Sequence, residues 1–268
     1  MTLLAPAASG AALLGPGAGD VQRLLPWERA DVARLFSEQG EAPGALGDEL
    51  AGFDAALAYT RSDSLARRLA VLVPRLIVHD PLPLHGHASE WLAAPLARLG
   101  IASHALLPTP RATSAEESTA RPLRAELGTG FLAIHAGSGS RAKNWPVERY
   151  AALVRSLSQG RPWLLVEGAA DAEPSAALAG LPGAVRACEL PVRALGALLA
   201  QAAVYIGNDS GVSHLVGAWG APTLALFGPT DPAIWAPLGP RVRVLRSPTG
   251  TMDGLGVDDV RAALSSAP

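Results

Sequence analysis

The sequence predicts an α/β protein built from two doubly wound parallel sheets with a cleft between them. Short apolar runs alternate with amphipathic segments along the whole 268-residue chain, which is the pattern of successive βα units. Hydrophobic residues make up 49% and charged residues 17% of the chain, a balance typical of a compact folded protein. A polar stretch punctuated by prolines separates an N-terminal series of units from a C-terminal one.

Composition excludes several classes of function. The net charge of −2 offers no electrostatic basis for nucleic-acid binding. Cys188 is the single cysteine, which rules out an intramolecular disulfide and a cysteine zinc cluster and is typical of a reducing compartment. The apolar N-terminus has no basic residue before Arg23, which argues against a signal peptide. No apolar run is long enough to span a bilayer, so we expect a cytoplasmic protein with at most peripheral membrane contact.

The N-terminal series has three expected strands and three expected helices. The strands are residues 2–5, 55–59 and 76–79, and the helices are residues 27–37, 62–72 and 89–99. The stretch PTPRATSAEESTARP at residues 108–122 shows no evident periodicity and is the best linker candidate. The predicted organisation is therefore an N-terminal domain at 1–110, a linker at 111–124 and a C-terminal domain at 125–268.

The C-terminal series begins with an expected strand at residues 131–135. The helix after it is opened by Pro146, and Tyr150, Val154 and Leu157 fall on one face at helical spacing. PWLLVEG, LGALLAQA, AVYIGND and PTLALFG then continue as strand, helix, strand and strand. A further helix, opened by NDSG, lies between the last two strands.

The stretch NDSGVSHLVGAWG, residues 208–220, places small polar residues where a buried strand becomes a helix. Asp209 or Ser210 is a natural N-cap, and Gly211 leaves the backbone N–H groups of the first turn uncovered. These groups and the helix dipole together favour an anion, and His214 one turn later adds a hydrogen-bonding ring. The alternative is a plain capped helix with a buried histidine.

A second polar seam, HAGSGSRAKNWP, follows the strand at residues 131–135. Gly137 and Ser138 open a flexible loop that ends near Lys143. The stretch is neither a Walker loop, since Asn144 follows the lysine, nor a dinucleotide fingerprint, since the third glycine is missing. A lysine on such a loop is able to cradle a diphosphate, although a solvated loop lysine is the alternative for Lys143 alone.

Together, HAGSGSRAKNWPVERYAAL and NDSGVSHLVGAWGAPTLALFGPTDPAIWAP resemble glycosyltransferase family 9, the heptosyltransferases of lipopolysaccharide synthesis. The resemblance covers residues 131–237 and is traceable more weakly through 53–99. It implies the GT-B fold of two facing Rossmann-like domains, with the donor on the C-terminal domain and the acceptor on the N-terminal one. It also implies an inverting reaction without a metal or cofactor, an ADP-heptose type donor and a lipopolysaccharide core acceptor at the inner face of the inner membrane.

The family's donor-binding residues carry over onto matching positions of this chain. Its phosphate-binding lysine corresponds to Lys143, and its Asp-(Ser/Thr)-Gly-x-x-His turn corresponds to Asp209, Ser210, Gly211 and His214. The family also has an acidic residue near the donor ribose, after the next strand. Glu167, Asp171 and Glu173 all compete for that role.

The catalytic base is where the chain departs from the family pattern. The family places an aspartate in a glycine-rich loop after its first strand, and GAGDVQRLLP at residues 17–26 matches this in letters. Only about one βα unit separates that stretch from FDAALAY, so we expect the family's first strand and loop to be missing. Asp20 is then a turn residue in one interpretation and the general base in the other.

Two weaker clusters and two alternative functions remain. A metal held by His79, His85, His87 and His104 is disfavoured because zinc sites need matched ligands with backing partners. Arg61, Arg67 and Arg68 are either a solvated helix face or an acceptor-binding patch.

The alternative functions are a nucleotide-sugar-binding protein that has lost transfer activity and another nucleotide-sugar enzyme such as an epimerase. The missing dinucleotide fingerprint argues against the epimerase.

Overall fold

The structure, a computed structural model, describes the chain except for residues 15–20, 37–43, 102–109, 169–171 and 266–268. The chain divides into two compact units, Met1–Ala105 and Leu106–Pro268. Each unit is an α/β arrangement with parallel strand pairing, which confirms the predicted class.

In the first unit, two pairs of parallel strands pack with short helices around a small leucine-rich core. That core includes Leu35, Leu46 and Leu69. The strands are β1 (Thr2–Ala5), β2 (Arg23–Pro26), β3 (Ala56–Tyr59) and β4 (Leu76–His79), paired as β1–β2 and β3–β4. The α-helices are α1 (Ala7–Gly10), α2 (Gly44–Ala51), α3 (Asp63–Leu72) and α4 (Ala88–Ala93), with 3₁₀ turns at Ala11–Leu13, Ala33–Phe36 and Ala94–Leu99.

The second unit is a six-stranded parallel sheet with helices on both faces. Its strands are β5 (Leu132–His135), β6 (Trp163–Glu167), β7 (Ala184–Cys188), β8 (Val204–Asn208), β9 (Thr223–Phe227) and β10 (Val242–Arg246). Its helices are α5 (Ser114–Leu127), α6 (Val147–Ser158), α7 (Ala172–Ala179), α8 (Val192–Leu199), α9 (Gly211–Ala218), α10 (Pro232–Trp235) and α11 (Val257–Ser265), with 3₁₀ turns at Arg141–Lys143 and Met252–Gly254.

Alternation of side chains along the strands divides the core of this second unit into two layers. Ala133, Leu164 and Tyr205 pack on the face covered by α5, α8 and α9. Their sequence neighbours Ile134 and Leu165 pack on the opposite face, against α6, α7 and α11. A sheet that is buried on both faces leaves its strand ends as the place where a ligand can reach polar groups.

The strand order β10-β9-β8-β5-β6-β7 reverses direction between β5 and β8. The chain leaves β5 toward β6 and β7, then returns to the other side of β5 at β8 and continues to β9 and β10. The loops that follow β5 and β8 therefore diverge from the same edge of the sheet. Ligands of doubly wound proteins bind at such a switch point.

The expected linker at 111–124 is wrong in one respect, because Ser114–Leu127 is the helix α5. Thr113 and Glu116 form a reciprocal capping box that starts it, and Ala120 and Leu127 are buried against the sheet. Pro122 interrupts one hydrogen bond without ending the helix. The Thr-x-x-Glu spacing is the sequence signal that predicts this helix, and the prolines obscured it.

The expected helix at 27–37 is also wrong. Hydrogen bonds here join residues three apart, from Val32 to Arg29 and from Leu35 to Val32, so the described part holds turns and one 3₁₀ segment. Arg29 pairs with Asp31 at 2.7 Å and also contacts Glu49 of α2. This ion-pair network holds the turn in place of a regular helix.

Candidate functional site

The polar seams after β5 and β8 meet at the switch point of the second unit. His135 at the end of β5 lies opposite Gly207 in β8, so the chain emerges from both strands at the same level. The loop that contains Lys143 and the turn that contains Asp209 therefore start side by side.

Asn208 ties the two seams together. Its side chain is fully buried, and its amide donates to the carbonyls of Ala136 (2.8 Å) and Gly137 (3.3 Å) in the loop after β5. Its Oδ1 accepts from the backbone N–H of Trp145 (3.1 Å) and the hydroxyl of Tyr150 (3.0 Å) at the start of α6. One amide thus fixes the end of β8 to the whole loop that holds Lys143.

The phenol of Tyr150 is a buried donor in this network. Burial, assisted by neighbouring Tyr205, raises the pKa of Tyr150 well above its ordinary value near 10. Helical spacing in the sequence predicted only that Tyr150 lies on the apolar face of its helix. Because a buried tyrosine hydroxyl needs a partner, its position facing a strand end is the signal that suggests a polar role.

Lys143 and Asp209 form an ion pair across the seams. Lys143 Nζ lies 3.2 Å from Asp209 Oδ2, with the two side chains 24% and 9% exposed. Thr230, in the turn after β9, donates its hydroxyl to the same oxygen at 2.8 Å. The lysine therefore faces the neighbouring strand end and is not a freely solvated loop residue.

Of the two expected N-caps, Ser210 is the one that starts α9. Its Oγ accepts from the backbone N–H of Ser213 at 3.4 Å, and buried His135 places Nδ1 3.2 Å from the same oxygen. Gly211 is exposed, and a Cβ placed on it would meet no atom within 4 Å. Packing therefore does not require a glycine at this first helical position. A ligand that approaches the backbone closely would require one.

His214 lies one turn into α9, and its side chain is exposed. The expected alternative of a buried histidine is therefore wrong for this residue. The buried histidine of the region is His135, 3% exposed at the end of β5. From the sequence, His135 was expected only as the last residue of a strand.

Gly137 is buried in the loop after β5, and Ser138 bonds within that loop. The hydroxyl of Ser138 lies 2.7 Å from the carbonyl of Ser140 and 2.6 Å from Asn144 Oδ1. These contacts shape the turn that precedes Lys143.

The three carboxylates considered for ribose contact have different surroundings. Glu167 ends β6 at the carboxyl edge of the sheet, is 11% exposed and pairs with Arg186 at 2.5 Å. Glu173 in α7 pairs with Arg141 at 2.6 Å, both side chains being largely exposed. Asp171 lies outside the described residues. Glu167 is thus the more buried of the two described carboxylates.

The candidate residues of the first unit serve its local structure. His79 stacks on Trp91 with ring centres 4.7 Å apart, and His85 meets the same ring edge-on at 5.0 Å. His87 caps α4, accepting from the N–H of Ser89 at 3.2 Å. Arg61 pairs with Asp80 at 2.9 Å.

Asp20 and His104 lie outside the described residues, and Arg67 and Arg68 lie on α3. Among the residues that the structure does describe, no group of three or more His, Cys, Asp or Glu side chains is arranged to hold a metal ion. Over the same part of the chain, none of the helices is both long enough and apolar enough to cross a membrane.

Comparison with known families gives a clear match. The sequence profile of glycosyltransferase family 9 (heptosyltransferase) matches residues 66–260, which is more than half of the chain and includes both seams. The match begins after Asp20 and so carries no information about that carboxylate. The family predicted from the two motifs is confirmed.

Individual relatives match over shorter stretches. Lipopolysaccharide heptosyltransferase 2 of Salmonella typhimurium is 34% identical over 117 residues, covering 41% of this chain and 34% of that protein. Lipopolysaccharide heptosyltransferase 1 of Pseudomonas aeruginosa is 32% identical over 121 residues, covering 43% and 33% respectively. The chain spans about one third of the length of these relatives.

Solved structures share the fold over nearly the whole chain. A family 9 glycosyltransferase from Veillonella parvula has a TM-score of 0.78 at 16% identity, covering 99% of this chain and 87% of that one. The ADP-heptose heptosyltransferase II of E. coli has a TM-score of 0.71 at 19% identity, covering 99% and 88%. At these identities the likeness establishes the fold.

Proposed function

This chain belongs to glycosyltransferase family 9, and we propose that it transfers a heptose from an ADP-heptose donor to a lipopolysaccharide core acceptor. Its relatives are named lipopolysaccharide heptosyltransferases. An E. coli heptosyltransferase of the same fold was solved with ADP and with a fluorinated ADP-heptose. These names favour transfer over the alternative of a protein that only binds a nucleotide sugar.

The observation that carries the proposal is the meeting of Lys143 with the start of α9. The Lys143 ammonium lies 3.2 Å from Asp209 Oδ2. Two residues after Asp209, α9 begins at Gly211, where no side chain covers the backbone N–H groups. An ammonium and the free N–H groups of a helix start are the donors that a diphosphate needs. In transfer they stabilise the negative charge that develops on the departing nucleoside diphosphate.

The proposed reaction begins with attack of an acceptor hydroxyl on the anomeric carbon of the donor. The bond to the diphosphate breaks on the opposite face, which inverts the configuration, and no metal takes part. A general base removes the proton of the attacking hydroxyl. Asp20 is the proposed base. If so, Asp20→Asn should lower the transfer rate and leave the affinity for the donor unchanged.

The proposal assigns the donor to residues 125–268 and the acceptor to residues 1–110. Gly137, Ser138, Ser210 and His214 would line the donor site together with Lys143. One acidic residue after β6 would contact the ribose. The acceptor would be met at the inner face of the inner membrane, through peripheral contact.

A transfer assay with mass-spectrometric detection tests the function. The protein is incubated with ADP-heptose and a deacylated core acceptor, and we expect acceptor heavier by one heptose together with free ADP. ADP-heptose binding without any transfer would contradict the proposed activity and favour the binding protein. Hydrolysis to ADP and free heptose, with acceptor unchanged, would point to a different acceptor.

A further inference from the structure

Thr230 reaches the candidate donor site from a third strand end. It lies in the turn FGPTDP between β9 and α10, and its hydroxyl donates to Asp209 Oδ2 at 2.8 Å. Lys143 Nζ approaches the same oxygen at 3.2 Å. The Asp209 carboxylate, which follows β8, is thus contacted by one residue from the loop after β5 and one from the turn after β9, the two strands that flank β8.

The turn that carries Thr230 is fixed on both sides. Before it, Gly228 lies so close to Met252 that a Cβ on the glycine would meet the Met252 backbone nitrogen at 2.9 Å. After it, Asp231 caps α10 by accepting from the N–H of Ala233 at 3.1 Å, and it also pairs with Arg246 at 3.2 Å. The threonine hydroxyl therefore projects from a well-anchored turn.

The Asp209 carboxylate is oriented by this hydroxyl. The backbone N–H of Asp209 donates to the carbonyl of Leu226 at 3.0 Å, which fixes its main chain against the end of β9. Within the described part of the chain, both side-chain contacts of the carboxylate are made by Oδ2. Thr230 thus sets the rotation of the carboxylate, which in turn sets where Lys143 is held.

Of Lys143, Asp209 and Thr230, the lysine has the most flexible side chain and depends most on being held in position. Lysine carries its ammonium on a flexible four-carbon stem, and the ammonium has three donors. Among the described residues one of these donors contacts Asp209, which leaves two for a diphosphate. A fixed carboxylate therefore aims the ammonium before the ligand arrives, which lowers the conformational entropy lost on binding.

We propose that Thr230 is a positioning residue for the donor diphosphate, acting through Asp209 on Lys143. The inference rests on the proposed function, since it concerns the same donor site. Without the hydroxyl, Asp209 is free to rotate with Lys143, and the ammonium is no longer aimed at the ligand. Serine keeps the hydroxyl, whereas valine keeps the shape and removes it.

Calorimetric titration of the full chain with ADP tests the inference in five proteins and one control variant. They are the parent, Thr230→Val, Thr230→Ser, Lys143→Ala and the double variant with Thr230→Val and Lys143→Ala. Thr223→Val is the matched control, because it removes a hydroxyl that bonds Ala221 at 3.0 Å at the opposite end of β9. Melting temperatures are recorded for all of them.

We expect Thr230→Val to weaken ADP binding about five- to tenfold, less than direct loss of a charged donor. Thr230→Ser should stay within about twofold of the parent, and Thr223→Val should lower the melting temperature with unchanged affinity. In the Lys143→Ala background, Thr230→Val should have no further effect, because the two act as a unit.

Three results would overturn the inference. If ADP binds, Lys143→Ala weakens it and Thr230→Val does not, Thr230 has no positioning role and the proposed donor site stands. The same conclusion follows if the effects of the two substitutions simply add. If the parent binds neither ADP nor ADP-heptose, the proposed function fails and this inference fails with it.

Discussion

The two units each present polar and aromatic side chains at the carboxyl ends of parallel strands, yet they use them differently. At the ends of β3 and β4, Tyr59 donates to the Leu92 carbonyl at 2.5 Å and His79 lies 2.9 Å from that of Trp91. These bonds secure the segment that follows β4. At the ends of β5 and β8, His135 and Asn208 are buried and bond across separate loops.

A binding site and a local support differ in what their polar groups contact. Polar groups that cap or brace their own segment stabilise it and leave no group for a ligand. The second unit instead uses a buried amide to set the spacing of two loops, one carrying Lys143 and the other leading into α9. Buried polar networks of this kind fix a geometry that binding requires.

The largest effect should come from Asn208→Ala, which removes the tie between the loops. It leaves buried partners, including the Trp145 N–H and the Tyr150 hydroxyl, without their bonds. We expect the free energy of unfolding to fall by about 3 kcal/mol in urea titration. Tyr59→Phe, at the matching position of the first unit, should change it by less than about 0.5 kcal/mol because Tyr59 is exposed. Equal losses would remove the distinction between the two edges.

The next largest effect should come from Lys143→Ala, which we expect to change only the affinity for ADP. Loss of a hydrogen bond to a charged group should weaken ADP binding by about 1.5–3 kcal/mol in calorimetry. Arg141→Ala is the matched control, since Arg141 lies on the same 3₁₀ turn but pairs with exposed Glu173. Similar losses from both would mean that the loop attracts ADP only by general charge.

Gly211→Val should abolish ADP binding at the start of α9 while leaving the fold intact. The open space around Gly211 should accept the side chain with little change in melting temperature, yet the side chain would cover the backbone donors. The parent should gain about 1.4 kcal/mol at an ADP concentration ten times Kd, and the variant should gain none. Gly180→Val, where a Cβ also meets nothing within 4 Å, should keep the gain. A retained gain in Gly211→Val would place the phosphates elsewhere.

The smallest effect concerns the pH dependence of stability. The folded-state pKa of Tyr150 is raised by burial, so its contribution is complete below the unfolded value near 10 and declines as pH rises above it. Between pH 9 and 10.5 the parent should lose about 0.8 kcal/mol more than Tyr150→Phe. Identical alkaline profiles in urea titration would show that the phenol ionises freely.

The sequence predicted the two polar seams of the second unit well because their signals are local. The strand at 131–135, the helix after Pro146 and the turn at Asp209–Gly211 follow from apolar runs, a helix-opening proline and capping residues, and the structure has β5, α6 and α9 there. The hydroxyl of Thr230 was missed because its partner Asp209 is distant in sequence.

The first unit was predicted less well because its elements are short and its signals conflict. Arg23–Pro26 forms β2, which was not among the strands expected from the sequence. Residues 27–36 form turns because Arg29 pairs with Asp31 and Glu49. This arrangement depends on tertiary contacts. Such pairings override local helix propensity.

The central claim is that the diphosphate of a nucleotide donor binds where the loops after β5 and β8 meet. A crystal structure of the protein with ADP tests it most directly. We predict phosphate oxygens about 3 Å from Lys143 Nζ and from the backbone N–H groups at the start of α9. ADP bound away from this seam, with no phosphate oxygen near Lys143 Nζ and with Gly211 uncovered, would contradict the account.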